Sequence, residues 1–321
     1  MKFATLAHLD NDDYFIKKIP EDWNKDKYII SPEFDCNGVK GHFLAIKHTA
    51  MEMMKLDKDI IRNQILEISL FAQDRLGVDL IQLGALTTSV TDGGVWLRNQ
   101  QEYKGFVNHG DSYTAAVTIQ AVEKALQLRN YDSNDLKLSI IGAYGIIGEA
   151  VSKSLVPRFN HTVLIGRRIE KFNSMIPLIK GEYDITTGLD TENADVIITA
   201  TNHPTALLGS EHIKKEAIIV DVSQPPNVSM GLCVKRPDIL RIDGGYVRFP
   251  FDFRIPTIPK GKLFSCIVEV IMQAMENNRE HHVGSIDSNH LRKTEEWGNK
   301  YGFTLNELTN FGSKIKEEDY R

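Results

Sequence analysis

The chain has 321 residues, 42% apolar and 25% charged, with a formal net charge of −5. That is enough length for two lobes with separate cores, and the composition is that of an ordinary folded protein, not a disordered or fibrous one. Scattered lysines and net negative charge exclude a nucleic-acid footprint, and no apolar run reaches the roughly 18 residues of a membrane span.

The first residues, MKFATLAHLDNDDYF, turn acidic too early for a signal peptide, so a cytoplasmic protein is expected. Cys36, Cys233 and Cys266 are odd in number and far apart, so any cysteine chemistry is single-thiol chemistry; no metal spacing occurs among the histidines or cysteines. His8, His42 and His109 fall in the first lobe as candidates for reaching an interdomain cleft, and the sequence does not choose among them.

In chain order, DKYIISPEF and GHFLAIKH between Lys27 and His48 read as two β-runs around a turn at Cys36-Asn37-Gly38. Ile60, Ile61, Ile65, Ile68, Leu70 and Phe71 recur at helical spacing between Asp57 and Leu76, and Gly77 stands where a helix cap falls. A second helix is predicted from Ser112 to Leu128. After Asp135 the texture changes. LKLSIIGA, HTVLIGR, ADVIITATN, AIIVDVSQ and ILRIDGGYV are short apolar runs alternating with helical stretches, and EYDITTG supplies a weaker third run. Strands buried on both faces need such continuous Val/Ile runs, and the alternation implies a parallel sheet. From Lys262 a helical segment, KLFSCIVEVIMQAMEN, opens the C-terminal region.

The strongest local signal is Gly142-Ala143-Tyr144-Gly145-Ile146-Ile147-Gly148, between an apolar strand and a helical pattern. Glycines there allow the tight turn, the approach of a pyrophosphate to the backbone and close packing of helix on strand, while the helix start offers N–H groups to phosphate. The next strand ends in Gly166-Arg167-Arg168, where an NAD-binding domain usually carries an acidic residue. Guanidinium groups pair with the 2′-phosphate of NADP, so NADPH is the expected cofactor; the alternative is that both arginines are a solvated helix start. Ligands collect at the carboxyl ends of parallel strands, so Thr199, Ala200, Thr201, Asn202, Val222, Ser223, Asp243, Gly244 and Gly245 should rim the nicotinamide side.

The fold expected is α/β: a doubly wound parallel sheet of the Rossmann type, with a second, N-terminal α/β lobe and a C-terminal helical segment. The boundaries read as 1–111 for a substrate-binding lobe, 112–135 for a connecting helix, 136–261 for the NADP-binding domain and 262–321 for a segment packing back on the first lobe. Cys266 lies near a helix start, where N–H groups favour a thiolate, yet free cysteine is also among the most buried residue types and packs as a small hydrophobe. Both readings stand on composition alone.

Several segments, in order, resemble the cyanobacterial-type long-chain acyl-[acyl carrier protein] reductases: LAHLDN, VKGHFL, LIQLGALTTSV, GDSYTAAVTIQAVEKA, IIGAYGIIGEAVSKSL, IDGGYV and LFSCIVEVIMQAME. The resemblance implies reduction of an acyl thioester, carried on acyl carrier protein or coenzyme A, to an aldehyde with NADPH. It implies Cys266 as the nucleophile, with Phe264 and Glu269 also matching that family's last motif. Gly110-Asp111-Ser112-Tyr113-Thr114-Ala115-Ala116 departs from the family's G-N-T-H-T-A-Y. AIIVDVSQPPNV is closer to shikimate-dehydrogenase-like and glutamyl-tRNA-reductase-like domains. The rival expectations are a shikimate-type dehydrogenase of a small alcohol, ketone or imine, in which Cys266 is packing, and a non-catalytic NADPH sensor.

Overall fold

The computed structural model describes residues 1–9, 17–252, 258–316 and 318. The chain divides into two compact units, Met1–Tyr113 with Arg248–Thr304, and Thr114–Val247 with Leu305–Arg321.

The first unit is built on β1 (Phe3–Leu9), β2 (Tyr28–Ile30), β3 (Phe34–Cys36), β4 (Val39–Thr49), β5 (Leu80–Leu83) and β6 (Phe106–Asn108). Its sheet runs β2-β4-β1-β5-β6, with β3 paired to β4. β4, β1, β5 and β6 are parallel, whereas β2 and β3 lie antiparallel on β4. Helix α1 (Lys58–Leu76) starts at Asp57, whose carboxylate accepts from the Asp59 N–H at 2.7 Å, and ends at Gly77 in the left-handed region, φ 66°. Those are the expected cap chemistries. Its buried Ile61, Ile65, Ile68 and Ala72 form one stripe at helical spacing. They pack with Ala4, Leu6, Leu44, Ile46, Ile81, Leu83 and Val107. Each large aliphatic side chain so buried contributes roughly 1.5–3 kcal/mol.

The hairpin differs from its expected form in two respects. DKYIISPEF is not one run: Pro32, which has no N–H to give a ladder, separates β2 from β3. Cys36 is not in the turn but ends β3, wholly buried, while the turn itself is Asn37-Gly38, both at positive φ. The burial of β3 alternates, with Asp35 outward and Phe34 and Cys36 inward, and that alternation decides the side Cys36 takes. Burial and the neighbouring Asp35 push its thiol up to about 12.

Helix α2 (Asp111–Arg129) begins in the first unit and continues into the second. The second unit then carries β7 (Lys137–Ile141), α3 (Ile146–Leu155), β8 (His161–Ile165), β9 (Tyr183–Thr186), β10 (Val196–Thr199), β11 (Ile218–Asp221) and β12 (Leu240–Asp243). The sheet order is β12-β11-β10-β7-β8-β9, parallel throughout. This is the doubly wound order, reversing between β7 and β10, the place where such sheets bind ligands. EYDITTG supplies the edge strand β9. Ile141, Ile165, Ile197, Ile219 and Val228 share its core.

The chain returns to the first unit as strand Lys262–Phe264, α4 (Ser265–Met275) and α5 (Ser288–Tyr301). The helix expected from Lys262 therefore starts three residues later, because Phe264 is extended at φ −67°, ψ 135°. Cys266 becomes the second residue of α4. In α5 the Asp287 carboxylate caps the start, and His290, Thr294, Trp297 and Gly298 are buried at helical spacing. Among the described residues, no helix is long and apolar enough to cross a membrane. Cys233 lies on the short helix Met230–Lys235.

Candidate functional site

Gly142 leaves β7 at φ +83°, and a side chain there would stand 2.8 Å from the Ala200 carbonyl carbon. Gly148 lies in the first turn of α3 so close to the strand that a Cβ would be 2.9 Å from the Gly142 carbonyl carbon. Gly145 is the N-cap residue of α3; a Cβ on it would be 3.1 Å from the Gly142 oxygen and 3.6 Å from the Ala200 oxygen, a tight fit against backbone. The three glycines thus divide the work: Gly142 turns the chain, Gly145 begins the helix close to the Gly142 carbonyl, and Gly148 lets helix meet strand. The first-turn N–H groups of Ile146, Ile147 and Gly148 have no carbonyl four residues back to bond. This donor set and cradle fit a pyrophosphate. Ala143 is buried beneath the turn, while Tyr144 is half-buried above it.

Gly166 follows β8, and Arg167 and Arg168 follow it, both exposed. Neither guanidinium group makes a hydrogen bond or ion pair among the described residues, although the Arg168 carbonyl accepts from the Lys171 N–H at 3.2 Å. Across the sheet, the ends of β10, β11 and β12 carry a hydroxyl and amide network. The Thr201 N–H donates to Ser223 Oγ at 3.0 Å, and the Thr201 and Ser223 hydroxyls donate to Asn227 Oδ1 at 2.6 and 2.9 Å. Beneath it, Asp221 accepts from Thr199 Oγ1 at 2.6 Å and from the N–H groups of Asn227 and Val228. Arg241 bridges Asp221 at 3.2 Å and Asp243 at 2.6 Å, and all three are buried. Asp243 also accepts from Thr309 and from the N–H groups of Phe311 and Gly312, which ties the C-terminal residues to the sheet. A buried charge triad needs this degree of pairing to be tolerated. Val222 fills the space beside Gly244, where a Cβ would stand 3.2 Å from the Val222 Cα. Ala200, Thr201, Asn202, Val222, Ser223 and Gly244 therefore follow β10, β11 and β12 at one end of the sheet that also carries the glycine turn and Gly166–Arg168.

In the first unit a second cluster surrounds Cys266. Gly110, at φ +73°, packs its backbone against this cysteine: a Cβ on Gly110 would stand 2.7 Å from both Cα and Cβ of Cys266. The loop is held there by Asn108, which donates to Gln273 Oε1 at 2.7 Å and accepts from the Gly110 N–H at 2.5 Å. Glu269, one turn beyond Cys266 and wholly buried, accepts from the Tyr113 N–H at 2.7 Å and pairs with His290 Nε2 at 3.0 Å. Burial would raise the Glu269 carboxyl, but the hydrogen bond to His290, the nearby imidazoles and the Tyr113 N–H outweigh it and hold it at about 2. His282 stacks on His290 with ring centroids 3.4 Å apart and 4° between planes. His109 Nδ1 accepts from the Asp111 N–H at 2.9 Å, and burial lowers this imidazole to about 4, so it is neutral near pH 7.

The thiol of Cys266 is pushed up to about 12, first by burial and then by Asp111, against which the N–H groups at the helix start pull down. Asp111 is itself raised well above the carboxylate range by burial and by the charge of Glu269. A proton on Asp111 removes the charge that opposes a thiolate, so the two groups share one protonation problem. The thiolate expected from the helix start alone is thus outweighed in the resting protein. Asp111, Glu269, His282 and His290 were missed as site residues by sequence reasoning, as were Asp221 and Arg241 of the triad, whereas Asp243 was expected at the rim. The triad did leave a signal, since Asp221, Arg241 and Asp243 interrupt apolar strand runs where a charge must find a partner.

Strand order and glycine turn together define the second unit as a Rossmann-type domain. Residues 123–239 match the family described as Shikimate / quinate 5-dehydrogenase, a stretch that lies within the second unit and does not reach Cys266. Over 216 residues the chain is 23% identical to the long-chain acyl-[acyl-carrier-protein] reductase of Synechococcus elongatus, covering 62% of each protein. It is 23% identical over 297 residues to the aminotransferase PigE of a Serratia species, covering 88% of this chain and 34% of that one. Glutamyl-tRNA reductase of Christiangramia forsetii is 27% identical over 172 residues, 51% of this chain and 38% of that one. The chain spans less than two thirds of the length of each of these relatives.

Proposed function

We propose that the protein is a nicotinamide-dependent oxidoreductase that transfers the acyl group of a thioester, on a carrier protein or coenzyme A, to Cys266 and reduces it to an aldehyde with NADPH. The observation that carries this reading is the place of Cys266: second residue of α4, its backbone against Gly110, with Asp111 and the Glu269–His290 pair beside it. The similarity to the Synechococcus reductase points the same way. In the first step the Cys266 sulfur attacks the thioester carbon, and the proton it loses goes to the departing carrier thiolate, leaving an acyl-enzyme. Bound NADPH supplies the hydride. The resulting thiohemiacetal on Cys266 takes up a proton as it collapses to aldehyde and restores the thiol. Gly142, Gly145 and the first-turn N–H groups of α3 would hold the pyrophosphate, Arg167 and Arg168 the 2′-phosphate, and residues 200–202, Val222, Ser223 and Gly244 the nicotinamide end.

A second reading has its own observation. The Cys266 thiol rests far above neutrality, and the matched family stretch covers the second unit without Cys266, as suits a shikimate-type dehydrogenase with no thiol intermediate. Intact-mass measurement after incubation with a panel of acyl thioesters, without NADPH, separates the two. An acyl mass on Cys266 supports the covalent route. Turnover of a hydroxy or keto substrate with no adduct on any cysteine would replace it with the second.

A further inference from the structure

The nicotinamide-cofactor reading places the choice between NADPH and NADH at the end of β8, where Gly166 stands. Its backbone is not in the left-handed region, so nothing in the chain's own conformation requires glycine. The requirement comes from a neighbour. A Cβ on Gly166 would stand 2.7 Å from Cδ1 of Tyr144, closer still to its Cε1, and 3.1 Å from Cε2 of Phe172. Tyr144 belongs to the glycine turn, and its ring meets Phe172 edge to face, centroids 5.2 Å apart at 83°. Phe172 is wholly buried, so Tyr144 has no room to retreat inward.

We infer that Tyr144 is a specificity-determining residue for the cofactor: its ring occupies the space a side chain at position 166 needs and so bars a carboxylate from the place where it would bind a ribose diol. This rests on the proposed nicotinamide-cofactor function. An acidic residue at that strand end selects NADH by accepting from the 2′-hydroxyl and repelling a 2′-phosphate. With position 166 reduced to glycine by the ring, Arg167 and Arg168, exposed and unpaired, are the charged groups left beside it. The preference is therefore set in two places, by a ring that denies an anion and by cations that accept one.

The test compares the full chain with Tyr144→Ala, Gly166→Asp and the double variant, measuring melting without cofactor and affinity for NADPH and NADH by calorimetry. Gly166→Asp alone should melt several degrees lower and bind both cofactors more weakly. The double variant should recover most of that melting loss and bind NADH at least about tenfold more tightly than Tyr144→Ala does, as a charge-assisted pair to a ribose hydroxyl warrants. If Gly166→Asp alone melts as the unmodified protein or gains NADH affinity, Tyr144 bars nothing and the inference fails. It fails equally if the double variant recovers neither stability nor NADH binding while the unmodified protein binds NADPH. An unmodified protein that binds neither nucleotide would instead overturn the cofactor reading, and this inference with it.

Discussion

The glycine turn of the second unit and the Cys266 cluster of the first both sit at helix starts, yet they manage polar groups in opposite ways. The turn works through backbone: three glycines open a cradle, N–H groups supply the donors, and the nearby guanidinium groups of Arg167 and Arg168 stay in solvent. The cluster works through buried and half-buried side chains whose proton affinities are displaced in different directions, Glu269 down and Asp111 and Cys266 up. A site built of backbone binds a fixed anion at any ordinary pH. A site built of coupled side chains moves protons, and its neighbours decide which group holds one.

The comparison breaks most decisively at Cys266. Cys266→Ala should fold, losing about 1–2 kcal/mol at most for one half-buried sulfur, and should still bind NADPH through the second unit. Acyl adduct should vanish, and aldehyde formation should fall roughly a thousandfold or more. Cys36→Ala and Cys233→Ala should leave the adduct in place. A Cys266→Ala protein that turns over at a near-normal rate removes covalent catalysis.

Within the glycine turn Gly148 and Gly145 should fail differently. Gly148→Ala puts a methyl against the Gly142 carbonyl, which is backbone and cannot step aside, so a loss of about 3 kcal/mol or more is expected in denaturant titration. Gly145→Ala meets the Gly142 oxygen at 3.1 Å and should keep the fold within about 1.5 kcal/mol. It should nevertheless weaken NADPH about a hundredfold by filling the pyrophosphate cradle. Equal loss of stability in both variants would make the turn a packing device rather than a binding one.

The cluster should show itself in pH dependence. His109 is buried, and its folded value lies near 4 against 6.5 unfolded, so the unfolded chain binds the proton more readily between these values. Its stabilisation is complete above pH 6.5 and is lost as pH falls through 4, roughly 3 kcal/mol in all. Asp111, raised above its unfolded value, acts in the opposite sense on acidification, and Glu269 contributes its loss only between 4.5 and about 2. Urea titration at pH 7 and pH 4 for the unmodified protein and His109→Gln isolates the histidine. The variant should lose less between the two pH values, and an identical loss would show that His109 is not held neutral by burial.

These contrasts also explain what could be read before any coordinates. The succession of six apolar strand runs, the cap at Gly77 and the seven-residue glycine turn depend on neighbours in sequence, so their residue types announce them. The Asp57 cap and the order of the strands in the sheet were not read from the sequence, and that order is set by pairing between distant segments. Cys36 was misplaced by one residue because strand ends and turns share residues, and the inward side of β3 is decided by a partner strand. The Cys266 cluster draws on 108–113, 266–273 and 278–290, and nothing local says that a histidine of α5 meets a glutamate of α4. Tyr144 stood in plain view inside the glycine turn, but its effect is exerted on Gly166, twenty-two positions away by their numbers.

The smallest expected effect falls on Arg167 and Arg168, and it sharpens the contrast from the exposed side. Both guanidinium groups are in solvent and without partners among the described residues, so replacing both residues by alanine should leave the melting temperature unchanged. A charge-assisted pair to phosphate contributes about 1.5–3 kcal/mol, which makes the expected loss in NADPH affinity roughly tenfold to a hundredfold. NADH, lacking the phosphate, should bind as before. Because the pair is exposed, raising ionic strength should erode the NADPH preference of the unmodified protein and leave that of the double alanine variant flat. Equal affinity for the two nucleotides in the unmodified protein would mean that these arginines are only a solvated start to the turn at Ile169–Ser174.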